Sequence, residues 1–180
     1  MQTVTMRVVA GKYSRRPIQI DVDNKDIRPT KDMVRQGVFN ALSYDVEHRT
    51  VLDLFSGTGA LGIEALSRGA KTATFIDRSK NAIQLIKTNT SYVEEPVEIV
   101  QMNYQAFLQS SKKDYFDLIF LDPPYHLDIH VVLDQLLTSG VVKNQAIIVL
   151  ETDKPLSLSL ENSRIRTYKY GITHITIIWR

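Results

Sequence analysis

Two short stretches hold the residue types and spacings best suited to chemistry. The first is Val51-Leu-Asp-Leu-Phe-Ser-Gly-Thr-Gly59, an apolar run that ends in an acid and two glycines and leads straight into an Ala/Leu-rich helical pattern. Strand, glycine turn and helix in that order make a seat for nucleotide-like cofactors. The second is Asp122-Pro-Pro-Tyr125, which closes another apolar run. We read the first as the seat of a methyl donor and the second as the holder of an amino group that receives the methyl.

In the first stretch, Gly57 and Gly59 let the backbone approach a ligand with no Cβ in the way. Phe55, Ser56 and Thr58 share the loop, and the following helix offers unpaired N–H groups at its start. Asp77, with Arg78 beside it, ends the next apolar run and is placed for hydrogen bonds to ribose hydroxyls. A rival reading exists, because Gly57-Thr-Gly59-Ala-Leu-Gly62 also matches the dinucleotide fingerprint, with Asp77 at the expected distance. Asp53 argues against a pyrophosphate, since a carboxylate there repels phosphate but attracts a sulfonium or an amino-acid ammonium. Asp-Pro-Pro-Tyr, moreover, has no role in hydride transfer.

In the second stretch, proline cannot donate to a sheet ladder, so the strand must stop at Pro123. Pro123 and Pro124 also stiffen the backbone beyond the strand. Asp122 and the Pro123 carbonyl are two acceptors for the hydrogens of an exocyclic base amino group, whose lone pair is delocalised and poorly nucleophilic. Tyr125 is placed to stack on the base, a contact worth about 1–3 kcal/mol in single-strand binders. Positioning, rather than strong base catalysis, is then the main source of acceleration.

Around these stretches the chain alternates strand and helix. Apolar, Val/Ile/Phe-rich segments at 51–55, 72–77, 97–101, 116–121, 146–151, 164–169 and 174–179 predict strands. Helical spacing covers 58–68, 79–91, 104–109 and 128–139. This is an α/β pattern, a doubly wound and mostly parallel sheet of seven strands. The turn Tyr170-Gly-Ile-Thr is too short for a crossover helix and makes the last strand antiparallel. Before the sheet, residues 5–20 predict a β-hairpin turning near 11–16. Thr30 is expected to cap a helix over 31–43 with Val34, Val38, Phe39 and Leu42 as its apolar face. Residues 1–43 are thus expected to form a basic appendage and residues 44–180 the cofactor-binding catalytic domain.

Composition sets the limits. At 180 residues, 43% hydrophobic and 23% charged, the chain reads as one globular unit with a sizeable core. No apolar run reaches membrane-spanning length, and no cysteine offers a disulfide or thiolate ligand. A reducing, cytoplasmic setting and a monomer are expected. The net charge of +2 conceals eight basic and four acidic groups in the first 40 residues, a basic arm on a near-neutral body. Arg7, Lys12, Arg15 and Arg16 fall on or near the hairpin turn, a pattern suited to a polyanion. Asn103 is read either as an adenine contact or as a surface cap, His126 as a solvated loop residue in preference to a proton shuttle, and Tyr104 and Phe107 as core. The other histidines share no metal-ligand spacing with carboxylates, so no metal is expected.

Taken together, Met6-Arg-Val-Val-Ala-Gly-Lys-Tyr, Arg28-Pro-Thr, Val34-Arg, Val38-Phe-Asn, the run from Asp53 to Gly69 and Asp122-Pro-Pro-Tyr125 resemble the class I S-adenosylmethionine-dependent methyltransferases. Within that class they are most similar to the bacterial 16S ribosomal RNA guanine-N2 methyltransferases of the RsmD type. The resemblance implies a Rossmann-like fold and S-adenosylmethionine bound by Asp53 to Gly59, Asp77, Arg78 and Asn103. It implies a guanine amino group at Asp122 to Tyr125, and RNA gripped by the hairpin with Arg28 and Arg35. The implied target is one guanine of 16S ribosomal RNA in the 30S particle. Gln36 departs from the family's usual Glu, Met1 to Thr5 precede its usual start, and residues 152–163 leave little room for a helix. A DNA adenine-N6 methyltransferase shares the chemistry, but no stretch is left over for a target-recognition region. A nucleotide- or RNA-binding module without catalysis is the other alternative.

Overall fold

The computed structural model describes residues 3–21, 32–110, 115–124 and 126–180. Arg28, Thr30 and Tyr125 lie outside the described residues. A two-stranded antiparallel sheet, β1 (Thr3–Arg7) and β2 (Pro17–Asp21), precedes helix α1 (Asp32–Leu42) and a 3₁₀ turn over Ser43–Val46. The remaining elements are β3 (Thr50–Asp53), α2 (Ala60–Ser67), β4 (Thr72–Asp77), α3 (Lys80–Asn89) and β5 (Val97–Gln101). They lead into α4 (Tyr104–Ser110), β6 (Phe116–Leu121), α5 (Ile129–Thr138), β7 (Val142–Thr152), β8 (Arg164–Tyr170) and β9 (Thr173–Trp179).

The seven-stranded sheet has the order β5-β4-β3-β6-β7-β9-β8. The first five of these neighbours are parallel, and β9 runs antiparallel between β7 and β8. The predicted α/β architecture and antiparallel last strand are borne out. Chain order reverses between β3 and β6, and in such sheets ligands bind above the carboxyl ends of the strands at that point. Asp53 and Asp122 stand at the ends of those two strands.

Helices cover both faces, which is why the strands read as continuous apolar runs. On one face α1, α2, α3 and the hairpin share a core with Phe39, Phe75, Phe120, Val149 and Ile177. On the other, α4 and α5 pack Phe107, Leu133 and Leu136 against Leu52, Ile119 and Ile148. The four expected apolar positions of α1 are all buried. Ser79 caps α3 and Asp128 caps α5 through their side chains, and both helices stop short of the predicted ends. Helix α2 starts two residues later than expected, because Thr58 and Gly59 belong to the glycine turn. Strand β7 starts earlier than predicted, with Val142 pairing Phe116 before a register shift.

The hairpin turn docks on α2. Lys12 N–H donates to the Ser67 carbonyl at 2.7 Å and Tyr13 N–H to Ser67 Oγ at 2.9 Å. Gly11 takes a left-handed φ of +86° where a Cβ would lie 1.9 Å from the Ser67 carbonyl oxygen. We therefore expect Gly11→Ala to lose about 1–3 kcal/mol, from strain and crowding together. Denaturant unfolding checks this, and a loss of under about 0.5 kcal/mol would contradict the close docking.

Candidate active site

The turn between β3 and α2 is held from three sides. Ser56 Oγ donates to the Asp53 carbonyl at 2.6 Å, and Ser56 N–H donates to the Ile76 carbonyl at 3.0 Å, joining the turn to β4. Gly59 N–H closes on the Ser56 carbonyl at 2.7 Å. Gly57 and Gly59 adopt φ of +52° and +79°, a region that costs a residue with a Cβ about 1–2 kcal/mol. Asn89 of α3 donates to the Thr58 carbonyl at 2.9 Å, so the loop is fixed before any ligand arrives.

Asp77, at the end of β4, accepts from Gly57 N–H through Oδ2 at 2.9 Å and from Ser79 N–H through Oδ1 at 2.8 Å. A carboxylate has about four lone-pair positions, so acceptor capacity for hydroxyls remains. Asn103 caps α4, accepting from Ala106 N–H at 2.8 Å, and also lines the cavity, so the two readings of this residue are compatible. Tyr104 and Phe107 are buried as expected, although Tyr104 also faces the cavity and pairs with Phe55 at 5.1 Å between ring centroids.

Asp53 is almost completely buried, and its Oδ2 accepts from Gly62 N–H at 3.1 Å. Burial, with a smaller contribution from the Asp77 charge, pushes its carboxyl up to about 7. A raised acid takes up a proton on folding, so its ionisation opposes stability as pH rises from the ordinary carboxylate range through about 7. A bound cation reverses that preference. Calorimetric affinity for a sulfonium ligand should rise roughly tenfold from pH 6 to pH 8, with proton release, as Asp53 ionises. Asp53→Asn should flatten the profile; an unchanged pH dependence in that variant would exclude Asp53 as its source.

These groups and the second stretch meet in one cavity of about 370 Å³. Its walls include Asp53, Phe55, Ser56, Gly57, Thr58, Asp77, Arg78 and Asn103 together with Asp122, Pro123 and Pro124. The volume falls in the range of small-molecule sites. A buried acid, fixed loop amides and a second acid at the end of β4 suit a cationic adenosyl ligand such as S-adenosylmethionine. Met102, Gln105 and Leu127 also line the cavity and were not singled out from sequence, and His126 joins them there. Their positions just beyond β5 and β6 are the signal that could have found them. His126 is exposed at the rim, as expected for a loop residue.

The basic residues divide. Arg7, Arg15 and Arg16 are exposed, with Arg7 Nη1 donating to the Arg15 carbonyl and Arg16 lying over the Tyr92 ring at 5.5 Å. Lys12 is exposed but bound by Glu94 and Glu95, each at 2.9 Å, and the Glu95 contact above all raises its pKa. Arg35 corrects the expectation of an RNA contact. It is wholly buried, with an ion pair to Glu64 at 3.5 Å and a donor bond to Asp32 at 2.9 Å. It also bonds the Arg7 carbonyl and Met6 Sδ, so no surface remains for a phosphate.

Sequence and structure comparisons agree with this layout. A family profile described as "Conserved hypothetical protein 95" matches residues 6–179. The ribosomal RNA small subunit methyltransferase D of Haemophilus influenzae is 34% identical over 158 residues, covering 84% of this chain and 81% of that protein. The Escherichia coli protein of the same name is 32% identical over 150 residues, covering 82% and 75%. Among solved structures, yhhF from Escherichia coli superposes with a TM-score of 0.85 at 27% identity, over 98% of both chains. SMU.776, solved with SAH, shares the fold at a TM-score of 0.65 and 17% identity, over 82% of this chain and 48% of that one. The chain belongs to the Conserved hypothetical protein 95 family, whose profile it matches over nearly its whole length.

Proposed function

We propose that the chain transfers a methyl group from S-adenosylmethionine to the N2 amino group of one guanine in 16S ribosomal RNA, within the 30S particle. The observation that carries this reading is the common cavity of Asp53, Asp77 and the glycine turn with Asp122-Pro-Pro. The names of the Haemophilus influenzae and Escherichia coli relatives support the ribosomal substrate.

When bound, S-adenosylmethionine supplies an electrophilic methyl on a sulfonium. Asp53 balances the positive charge, Asp77 holds the ribose hydroxyls, and Arg78 and Asn103 flank the adenine end. Asp122 and the Pro123 carbonyl accept the two N2 hydrogens of guanine, which points the nitrogen lone pair along the line of transfer. Asp122 or water would take the one N2 proton that methylation of the amino group releases. Pro124 keeps the platform rigid, and Tyr125 stacks on the base. The hairpin, with Arg7, Arg15 and Arg16, holds the RNA backbone, and Arg28 extends that surface. On this reading residues 1–43 serve RNA contact and residues 44–180 bind cofactor and base in a monomeric, cytoplasmic enzyme. Among the described residues no helix is long and apolar enough to cross a membrane.

Calorimetry with S-adenosylmethionine and NAD tests the cofactor: saturable binding of the former is expected, and NAD binding alone would overturn the assignment. Replacing Arg15 and Arg16 by Ala should weaken RNA binding and reduce the log–log salt slope by about 1–2. An unchanged slope would remove the hairpin from the RNA-binding surface.

A further inference from the structure

Beside Asp122 stands an acid that the proposed methyl transfer does not use. Leu121 of β6 pairs in parallel register with Leu150 of β7, so Asp122 and Glu151 come next at neighbouring positions of adjacent strands. Neighbouring strands lie about 4.8 Å apart. Glu151 Oε2 is closed off from solvent and has no hydrogen-bond partner among the described residues. Buried polar atoms are nearly always paired, and an unpaired carboxylate oxygen is costly, so such an atom marks a site completed by something outside the chain. Burial also pushes the Glu151 carboxyl up to about 7.

The strand order gives the direction. The cofactor loops extend from β3, β4 and β5, all on one side of β6, whereas β7 lies on the other. Glu151 is accordingly absent from the lining of the cofactor cavity. Asp122 stands between the cofactor side and Glu151, where a base presenting an amino group to Asp122 would extend toward β7. The same sheet row continues from Glu151 to Ile175 and Tyr168, an apolar and aromatic floor in register with it.

We propose that Glu151 reads the guanine by accepting its N1–H, next to the N2 amino group held by Asp122. Guanine carries two adjacent donors, N1–H and N2–H, on its Watson–Crick edge. Adenine and cytosine carry a ring-nitrogen lone pair next to their amino groups, so Glu151 repels them once it is ionised, above about pH 7. Two neighbouring acids thus accept guanine and reject the other amino bases, a discrimination that one acid at the amino group cannot make. The inference rests on the guanine-N2 reading and adds the residue that enforces it.

The test compares guanine with 2-aminopurine at the target position of reconstituted small subunits. 2-Aminopurine keeps the amino group but has a lone pair at N1. The wild-type protein should prefer guanine by about 10²-fold or more in kcat/KM. Glu151→Gln and Glu151→Ala should both lower activity on guanine and shrink that preference to within about tenfold. S-adenosylhomocysteine affinity should be unchanged in both variants, and thermal stability equal or higher, since an unpaired buried acid is removed. Undiminished preference in both variants would overturn the proposal, as would a fall in stability that accounts for the lost activity. A wild-type protein that does not methylate guanine would instead refute the parent reading.

Discussion

Asp122→Ala should abolish methyl transfer while leaving the cofactor bound. An exocyclic amino group is a poor nucleophile until its hydrogens are held and its lone pair is aimed, and Asp122 is the anionic one of the two proposed acceptors. Removing one preorganised partner at a reacting centre costs about 10²–10³ in kcat. The loss here should reach at least that range, because the remaining carbonyl cannot fix the plane of the amino group alone. The cradle of Ser56, Gly57 and Asp77 is held by bonds to the Ile76 carbonyl and to backbone amides. S-adenosylhomocysteine affinity should therefore change less than about threefold. Single-turnover assays on ribosomal particles separate the two effects, and a variant with near-normal turnover would end the proposed role of the Asp-Pro-Pro shelf.

The second large effect concerns stability. Glu64 lies wholly buried in the middle of α2, accepts hydrogen bonds from three donors and forms an ion pair with Arg35. Val9 N–H and Ala10 N–H bond it at 2.8 and 3.0 Å, Arg68 Nε at 2.8 Å, and Arg35 Nε pairs with it at 3.5 Å. Glu64→Ala leaves the buried Arg35 guanidinium without its buried partner and frees the hairpin loop. Breaking a buried ion pair from one side costs about 3–5 kcal/mol. We expect a loss in that range by denaturant unfolding, with faster hydrogen exchange at Val9 and Ala10. A loss under about 1 kcal/mol would mean that the guanidinium finds water or another acceptor.

The chain gave up its local features readily and its long-range pairings poorly. Strands β4, β5 and β6 carry the predicted ends: β4 and β6 are buried, largely apolar runs that stop at Asp77 and before Asp122-Pro-Pro, and the half-exposed edge strand β5 starts after Pro96. The glycine turn and Asp-Pro-Pro were legible for the same reason: both are local, and both continue directly from a strand. Arg35 was misread because a charged residue on an amphipathic helix is normally solvated. Yet 35 shares a helical face with Val38 and Leu42, and a buried acid on another helix makes that position tolerable. Glu64 alone among the apolar residues of α2 was the available signal. Lys12 finds its acids 82 and 83 residues away, a pairing that no local pattern contains. Glu151 ended an apolar strand as Asp53 and Asp77 do, but only the register of β6 and β7 reveals its neighbour.

The central claim is that a cofactor cradle and an acidic, proline-stiffened shelf act on one guanine amino group. Labelled S-adenosylmethionine incubated with 30S particles from cells lacking this protein, then nucleoside analysis of the digested RNA, tests it most directly. Label should appear in N2-methylguanosine at a single position of 16S ribosomal RNA and be absent with Asp122→Ala. Label in any other nucleoside, or no transfer to RNA by a protein that binds the cofactor, would contradict it.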